Sequence, residues 1–222
     1  VGTSFEIKRQ LIHLCGGVAI GLGVYLLKPV YGPLTAIPVL AGVLLFLILP
    51  KLGRLFHIHN HLMTRYERYT DIEAMPYKGA IYYGIGVAPA ILLLETNMAC
   101  AIIMVLSVGD SISTIVGKTI GRTPVGFRDS KSFVNEMDRS RFKNKFIERL
   151  MLKLRRTHTG YKTLEGFVGF LFSAFIGAAV FAGLPKAIFL AGVGAFIELL
   201  VPFDDNLTIP WGLTVISLLF LP

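Results

Sequence analysis

Residues 97–118, NMACAIIMVLSVGDSISTIVGK, decide how this chain must be read. At about 1.5 Å of rise per residue the stretch makes a helix about 33 Å long. That is enough to cross the roughly 30 Å hydrocarbon core of a bilayer. It carries one acid, Asp110, in its second half. An ionisable side chain at such depth costs about 2.5–3.5 kcal/mol on insertion scales, so Asp110 should be paired or functional.

The rest of the chain repeats the pattern. Apolar segments recur at about 10–27, 34–50, 77–94, 164–183, 186–202 and 209–222, the last being short. Charged residues are 16% of the 222, against about 25% in soluble domains, and hydrophobic residues are 54%. The expected fold is all-α: a polytopic membrane protein of about seven transmembrane helices. It forms a single unit over 1–222, with a basic cytoplasmic insertion at about 121–162. Cys15 and Cys100 both fall inside apolar runs and suggest neither a disulfide framework nor a metal knuckle. There is no cleavable signal pattern at the start, no internal repeat and no low-complexity tract.

Charge placement predicts orientation. Seven spans put 20 of the 22 Lys and Arg on one side, with only Lys28 and Lys186 opposite. The basic side is therefore expected to be cytoplasmic. The net charge of +8 then reflects topology and attraction to anionic headgroups and phosphate ligands, with no nucleic acid implied. Residues 51–76 suggest a surface helix. From Arg139 to Arg156, Phe142, Phe146, Leu150 and Leu154 recur every four residues beside Arg141, Lys145, Arg149 and Lys153, the pattern of an amphipathic helix. Such a helix lies in the headgroup layer or packs on the protein's own cytoplasmic face.

The same topology gathers the polar residues at one level: Arg9 and His13 at the start of the first span, Asp110, Glu165, Glu198, and the turn Asp204-Asp205-Asn206. Small residues at 109, 113, 117 and 121 line one helix face beside Asp110. That face suits either close approach of a ligand, with Asp110 on a divalent metal, or helix packing. Lys162-Thr163-Leu164-Glu165-Gly166 opens a helix with a lysine, a hydroxyl and free backbone N–H groups. These can anchor phosphate, or serve as a snorkelling lysine and a capping threonine. Asp204-Asp205-Asn206-Leu207-Thr208-Ile209-Pro210 is an oxygen-rich corner suited to Mg²⁺, or a solvated turn. No GxxxxGK[ST] occurs, which excludes a P-loop. His57, His59 and His61 lack the companions of a zinc site and suit headgroup or phosphate contact better.

These strings together resemble a known family. Glu6-Ile7-Lys8-Arg9-Gln10-Leu11-Ile12-His13 is similar to the E-x-x-R-K-x-x-H opening of the family that contains dolichol kinase, phytol kinase and yeast-type diacylglycerol kinase. Lys78-Gly79-Ala80-Ile81-Tyr82-Tyr83 resembles its third-span entry. Gly109-Asp110-Ser111, Lys162 to Gly166, and Asp204 to Pro210 resemble its remaining signatures in the right order. Gln10 departs from it where a second basic residue is usual, and the link from Gly121 to Lys162 is longer than typical.

The resemblance implies Mg²⁺-dependent phosphoryl transfer from CTP to the hydroxyl of a membrane lipid alcohol: a polyprenol or dolichol, geranylgeraniol or phytol, or diacylglycerol. It implies that Arg9, Lys162, Thr163, Glu165, Gly166 and Asn206 bind the nucleotide, and that Asp110, Asp204 and Asp205 hold the metal. Glu165 and Glu198 would orient the lysine or metal-bound water. Asp205, with His13 next, would accept the alcohol proton, and Lys162 would act on the phosphates. The runner-up is a CDP-lipid synthase resembling phosphatidate cytidylyltransferase, which shares a glycine–aspartate helix and a K-K-T-x-E-G run. Its basic C-terminal signature finds no match here. A transporter would explain intramembrane carboxylates, but not why Lys162 and the acids share one level.

Overall fold

The computed structural model describes residues 3–56, 75–125, 162–201 and 203–221. The surface helix at 51–76 lies largely outside these residues. The histidines at 57–61, the amphipathic segment at 139–156 and most of the 121–162 insertion lie outside them entirely.

The fold is all-α, as expected. Helix α1 (Thr3–Tyr31) passes through a 3₁₀ turn, Gly32–Thr35, into α2 (Ala36–Phe56). Gly32 takes φ +57, a left-handed value that L side chains resist, and Pro33 follows it, so the chain turns there. Helix α3 is Lys78–Leu93 and α4 is Thr96–Met104. A π-helical turn, Val105–Asp110, joins α4 to α5 (Ser111–Thr119). Then come α6 (Leu164–Ala182), α7 (Leu184–Leu200) and α8 (Asp205–Phe220). Each of the seven apolar segments read from the sequence is thus helical. Among the described residues the exception to all-α is one small ladder, β1 (Pro124–Val125) against β2 (Lys162–Thr163), antiparallel.

Three helical stretches among the described residues are long and apolar enough to cross a membrane: Phe5–Pro50, Thr96–Thr119 and Leu164–Ala182. The first includes two successive helices. The other helices, α3, α7 and α8, have 16, 17 and 16 residues. A 16-residue helix is about 24 Å long, short of the roughly 30 Å core. The expected count of about seven spans is therefore reached by length and composition in fewer places.

The bundle is apolar both inside and out. Ala99 to Leu106, on α4 and the π turn, form the centre of the core with Phe170, Ala174 and Ala178 of α6 and Leu190, Ala191 and Ala195 of α7. The outer faces are apolar and open: Leu26 is 70% exposed, Phe172 68% and Val180 73%. Exposed apolar area that extensive marks a surface made for something other than water. Small residues bring the helices close. A Cβ at Gly109 would meet Phe170 and Ala174 at 3.0–3.1 Å, and one at Gly117 would meet Thr163 Oγ1 at 3.2 Å. The stripe at 109, 113, 117 and 121 packs against α6 and its cap, with Asp110 beside it.

Cross-helix pairs define the two ends. Glu6 of α1 meets Lys118 at 3.0 Å, Lys78 of α3 meets Asp204 at 3.4 Å, and Lys162 meets Glu198 of α7. These join the starts of α1, α3, α6 and α8 to the ends of α5 and α7. At the opposite end, the buried Lys28 Nζ donates to the carbonyls of Ile91 and Leu94, where α3 ends. A cation there satisfies carbonyls that have no partner within the helix.

Candidate active site

The acids converge because the π turn closes, α7 ends and α8 begins at the same level. The π turn closes at Asp110, α7 carries Glu198 two residues before its last residue, and α8 begins at Asp205. One ligand oxygen from each of Asp110, Glu198 and Asp205 lies within 4.8 Å of the other two. A π turn holds one extra residue per turn and re-aims the side chains around it, and such turns recur at functional sites.

Lys162 sits directly on this group. Its Nζ pairs with Glu198 Oε1 and lies 3.5 Å from Asp205 Oδ2. The strand pairing of Lys162 with Val125 fixes its backbone beside the start of α6. Ser113, one turn after Asp110, donates its hydroxyl to the same Glu198 oxygen at 3.3 Å. The other oxygen, Glu198 Oε2, is buried without a hydrogen-bond partner. So are Asn206 Oδ1 and His13 Nε2. His13 lies 3.9 Å from Asp110 Oδ2 and meets the Tyr83 ring edge-on, with centroids 5.2 Å apart. Tyr83 in turn is 2.7 Å from Ser107 Oγ.

Other residues expected at the site do local work. Asp204 stands outside the three-acid cluster: it pairs with Lys78 and caps α8 by accepting from the Asn206 amide at 3.3 Å. Its neighbour Asp205 turns the other way, as residues at a cap and at the first helical position do. Thr163 caps α6, accepting from the Gly166 amide at 3.2 Å. Gly166 packs against Ser113 O, where a Cβ would come within 3.2 Å. Glu165 accepts from the amide and hydroxyl of Thr123 at 3.2 Å, tying the 121–123 loop to α6. Arg9 pairs with Glu6 at 3.4 Å, and Lys118 shares that carboxylate.

Three contributors hold more of the site than the sequence reading gave them. Glu198 was expected only to orient its neighbours, yet it is one of the three clustered acids. Ser113 was read only as a small residue, although its hydroxyl one turn from Asp110 was a usable signal. Lys78 was noted as a motif position without its partner.

The cluster fits a hard divalent cation. Its donors are all oxygen, Glu198 also carries a buried oxygen with no hydrogen bond, and Mg²⁺ favours a few carboxylates completed by phosphate oxygens.

Among known proteins, no family model matches the chain, and no solved structure does. Over 212 residues it is 30% identical to the uncharacterized protein MJ1137 of Methanocaldococcus jannaschii, an alignment that covers 93% of this chain and 89% of that protein.

Proposed function

The chain belongs to the family of that uncharacterized archaeal protein, and we propose that it is a membrane-embedded, CTP-dependent kinase of a lipid alcohol. In this reading α1 to α8 make seven membrane passes, α4 and α5 forming one, with the N-terminus and the acid cluster on the cytoplasmic side. The thin helices α3, α7 and α8 are accommodated by local thinning of the bilayer. The whole of 1–222 acts as one kinase domain.

The observation that carries the reading is the meeting of Asp110, Glu198, Asp205 and Lys162 at one end of an apolar bundle. Val125 and Lys162, which flank one basic stretch, and Met75, which ends the other, adjoin that same end. A nucleotide arriving from water and a lipid hydroxyl arriving from the bilayer meet at such a level.

Phosphoryl transfer needs in-line positioning and neutralisation of charge more than covalent help from the protein. Asp110, Glu198 and Asp205 would hold Mg²⁺, which supplies charge neutralisation on the phosphates. Lys162 binds the triphosphate, supported by Arg9 and by the Asn206 amide group. The alcohol oxygen attacks the γ-phosphorus, the bond from that phosphorus to the bridging oxygen breaks, and CDP leaves. The alcohol proton passes to His13 Nε2, which is buried, makes no hydrogen bond and lies 3.9 Å from Asp110 Oδ2. Asp205 is the alternative acceptor, though its carboxylate faces Lys162. Lys78 and Asp204 hold the start of α8 so that Asp205 stays in place.

Purified protein incubated with CTP, Mg²⁺ and a panel of lipid alcohols tests this. CDP and a lipid phosphate are expected. Pyrophosphate and a CDP-lipid, formed from a phosphorylated acceptor, would assign the synthase instead. No turnover with any acceptor, together with cation or solute flux in vesicles, would assign a transporter.

A further inference from the structure

The place a divalent ion would take is already used by a side chain. Lys162 Nζ bridges Glu198 and Asp205, two of the three clustered acids. An ion held by those carboxylates sits about 2.0–2.1 Å from their oxygens. An ammonium held against two of those carboxylates would stand within a few ångströms of the ion, and the two cations repel each other. Resting on the metal and phosphate reading above, we propose that Lys162 is a resident counter-ion of the acid cluster, displaced when a divalent cation binds and delivered by that displacement to the phosphate chain.

Three features make the exchange physically reasonable. The lysine has a way out: its side chain is 23% exposed, on a flexible four-carbon stem. Glu198 keeps its position without the lysine, since Ser113 also donates to its Oε1, and its Oε2 is buried with no hydrogen bond and ready for an ion. Charge also favours the exchange. One ammonium against three carboxylates leaves a net charge of −2, a divalent ion in its place leaves −1, and the displaced ammonium can pair with the incoming polyanion.

The consequence is coupling. A cation that releases Lys162 raises affinity for a polyphosphate, and by linkage a polyphosphate that captures Lys162 raises affinity for the cation. Without phosphate the cation must compete with the lysine and binds weakly. The cluster is thereby kept from being loaded ahead of its substrate.

The test uses Mn²⁺ alone, in detergent-solubilised full-length protein without nucleotide. Electron paramagnetic resonance counts bound Mn²⁺, and mass spectrometry follows the rate at which an acylating reagent modifies Lys162. Lys162→Met is expected to bind Mn²⁺ about tenfold more tightly than the wild type, within the range of ordinary coupling. In the wild type, saturating Mn²⁺ is expected to quicken acylation of Lys162 severalfold, and that measurement decides alone if the variant does not insert. Acylation that slows or stays constant, or a variant that binds Mn²⁺ no more tightly, overturns the counter-ion role. If Mn²⁺ still binds in that case and Asp205→Asn abolishes it, the metal reading survives the loss. Absence of Mn²⁺ binding in both proteins overturns the two together.

Discussion

Glu198→Gln perturbs the site at its most buried point and separates structure from chemistry. Glu198 is 2% exposed, accepts from Ser113 at 3.3 Å and pairs with Lys162. Removing one partner of a buried pair costs about 3–5 kcal/mol when the other charge is stranded. Lys162 is not stranded here, because Asp205 lies 3.5 Å away and the lysine is partly exposed. The glutamine also keeps the shape and can still accept from Ser113. The stability loss should therefore fall to about 1–2 kcal/mol, near that of a charge-assisted hydrogen bond. Turnover should fall far more, by about a hundredfold or beyond, since one of three charged metal donors is gone. Unfolding in mixed dodecyl maltoside–SDS micelles measures the first quantity, and Mg²⁺-titrated lipid phosphorylation the second. Glu198→Ala should lose about 3–5 kcal/mol, because it also leaves a void and an unpaired Ser113. Near-normal turnover in Glu198→Gln at any Mg²⁺ concentration would refute the assignment of Glu198 as a ligand.

Other outcomes follow from the same geometry. Asp110→Asn and Asp205→Asn should each lose Mg²⁺-dependent turnover while still inserting and purifying, whereas Asp204→Asn, outside the cluster, should retain a measurable fraction of it. Lys162→Met should weaken CTP-dependent turnover by about ten- to a hundredfold, the value of a charge-assisted contact; Lys153→Met should give a smaller loss that added salt erases, and equal salt-sensitive losses at both would remove Lys162 from the site. Cysteine introduced at Lys186 should be labelled from outside the cell and at Arg149 only after permeabilisation; the reverse pattern would end the proposed topology. Gly86→Val should lower turnover by forcing α8 away from α3, since a Cβ there collides with the Asn206 carbonyl and comes within 2.9 Å of Pro210 Cγ; retained turnover would show that the start of α8 tolerates displacement.

Helix positions were legible because apolar runs and the Gly-Pro breaks set them locally. Partner choice across helices was not. Glu165 and Glu198 look alike in sequence, each a carboxylate near one end of an apolar helix. Their difference comes from rotation about the helix axis: Glu165 turns toward Thr123 at the rim, while Glu198 turns into the bundle. Asp204 and Asp205 posed the same problem one residue apart, and the cap of α8 sends one to Lys78 and the other to the cluster. The π turn at Val105–Asp110 carried no recognisable sequence mark, so 97–118 was read as one regular helix.

The distribution of satisfied and unsatisfied polar groups argues that the cluster is a ligand site and more than a structural knot. Deeper in the bundle, polar groups are paired: Ser107 donates to the Ile103 carbonyl at 2.6 Å and meets Tyr83, and Thr214 donates to the Pro210 carbonyl at 2.6 Å. Around the acids, beside the paired Ser113 and Lys162, several are not. Gln10 Oε1, His13 Nε2, Ser111 Oγ, Glu198 Oε2 and Asn206 Oδ1 are buried without hydrogen bonds, while Thr35 and Ser217 are unsatisfied elsewhere. Gln10 lies on α1 between Glu6, which meets Lys118, and His13, which meets Asp110, so it belongs to the same neighbourhood. Each such group left unpaired costs about 1–3 kcal/mol. A purely structural assembly of acids and bases would have no reason to concentrate that cost beside its most highly charged residues. A site that receives an ion, a phosphate chain and a hydroxyl does, because those ligands supply the missing partners.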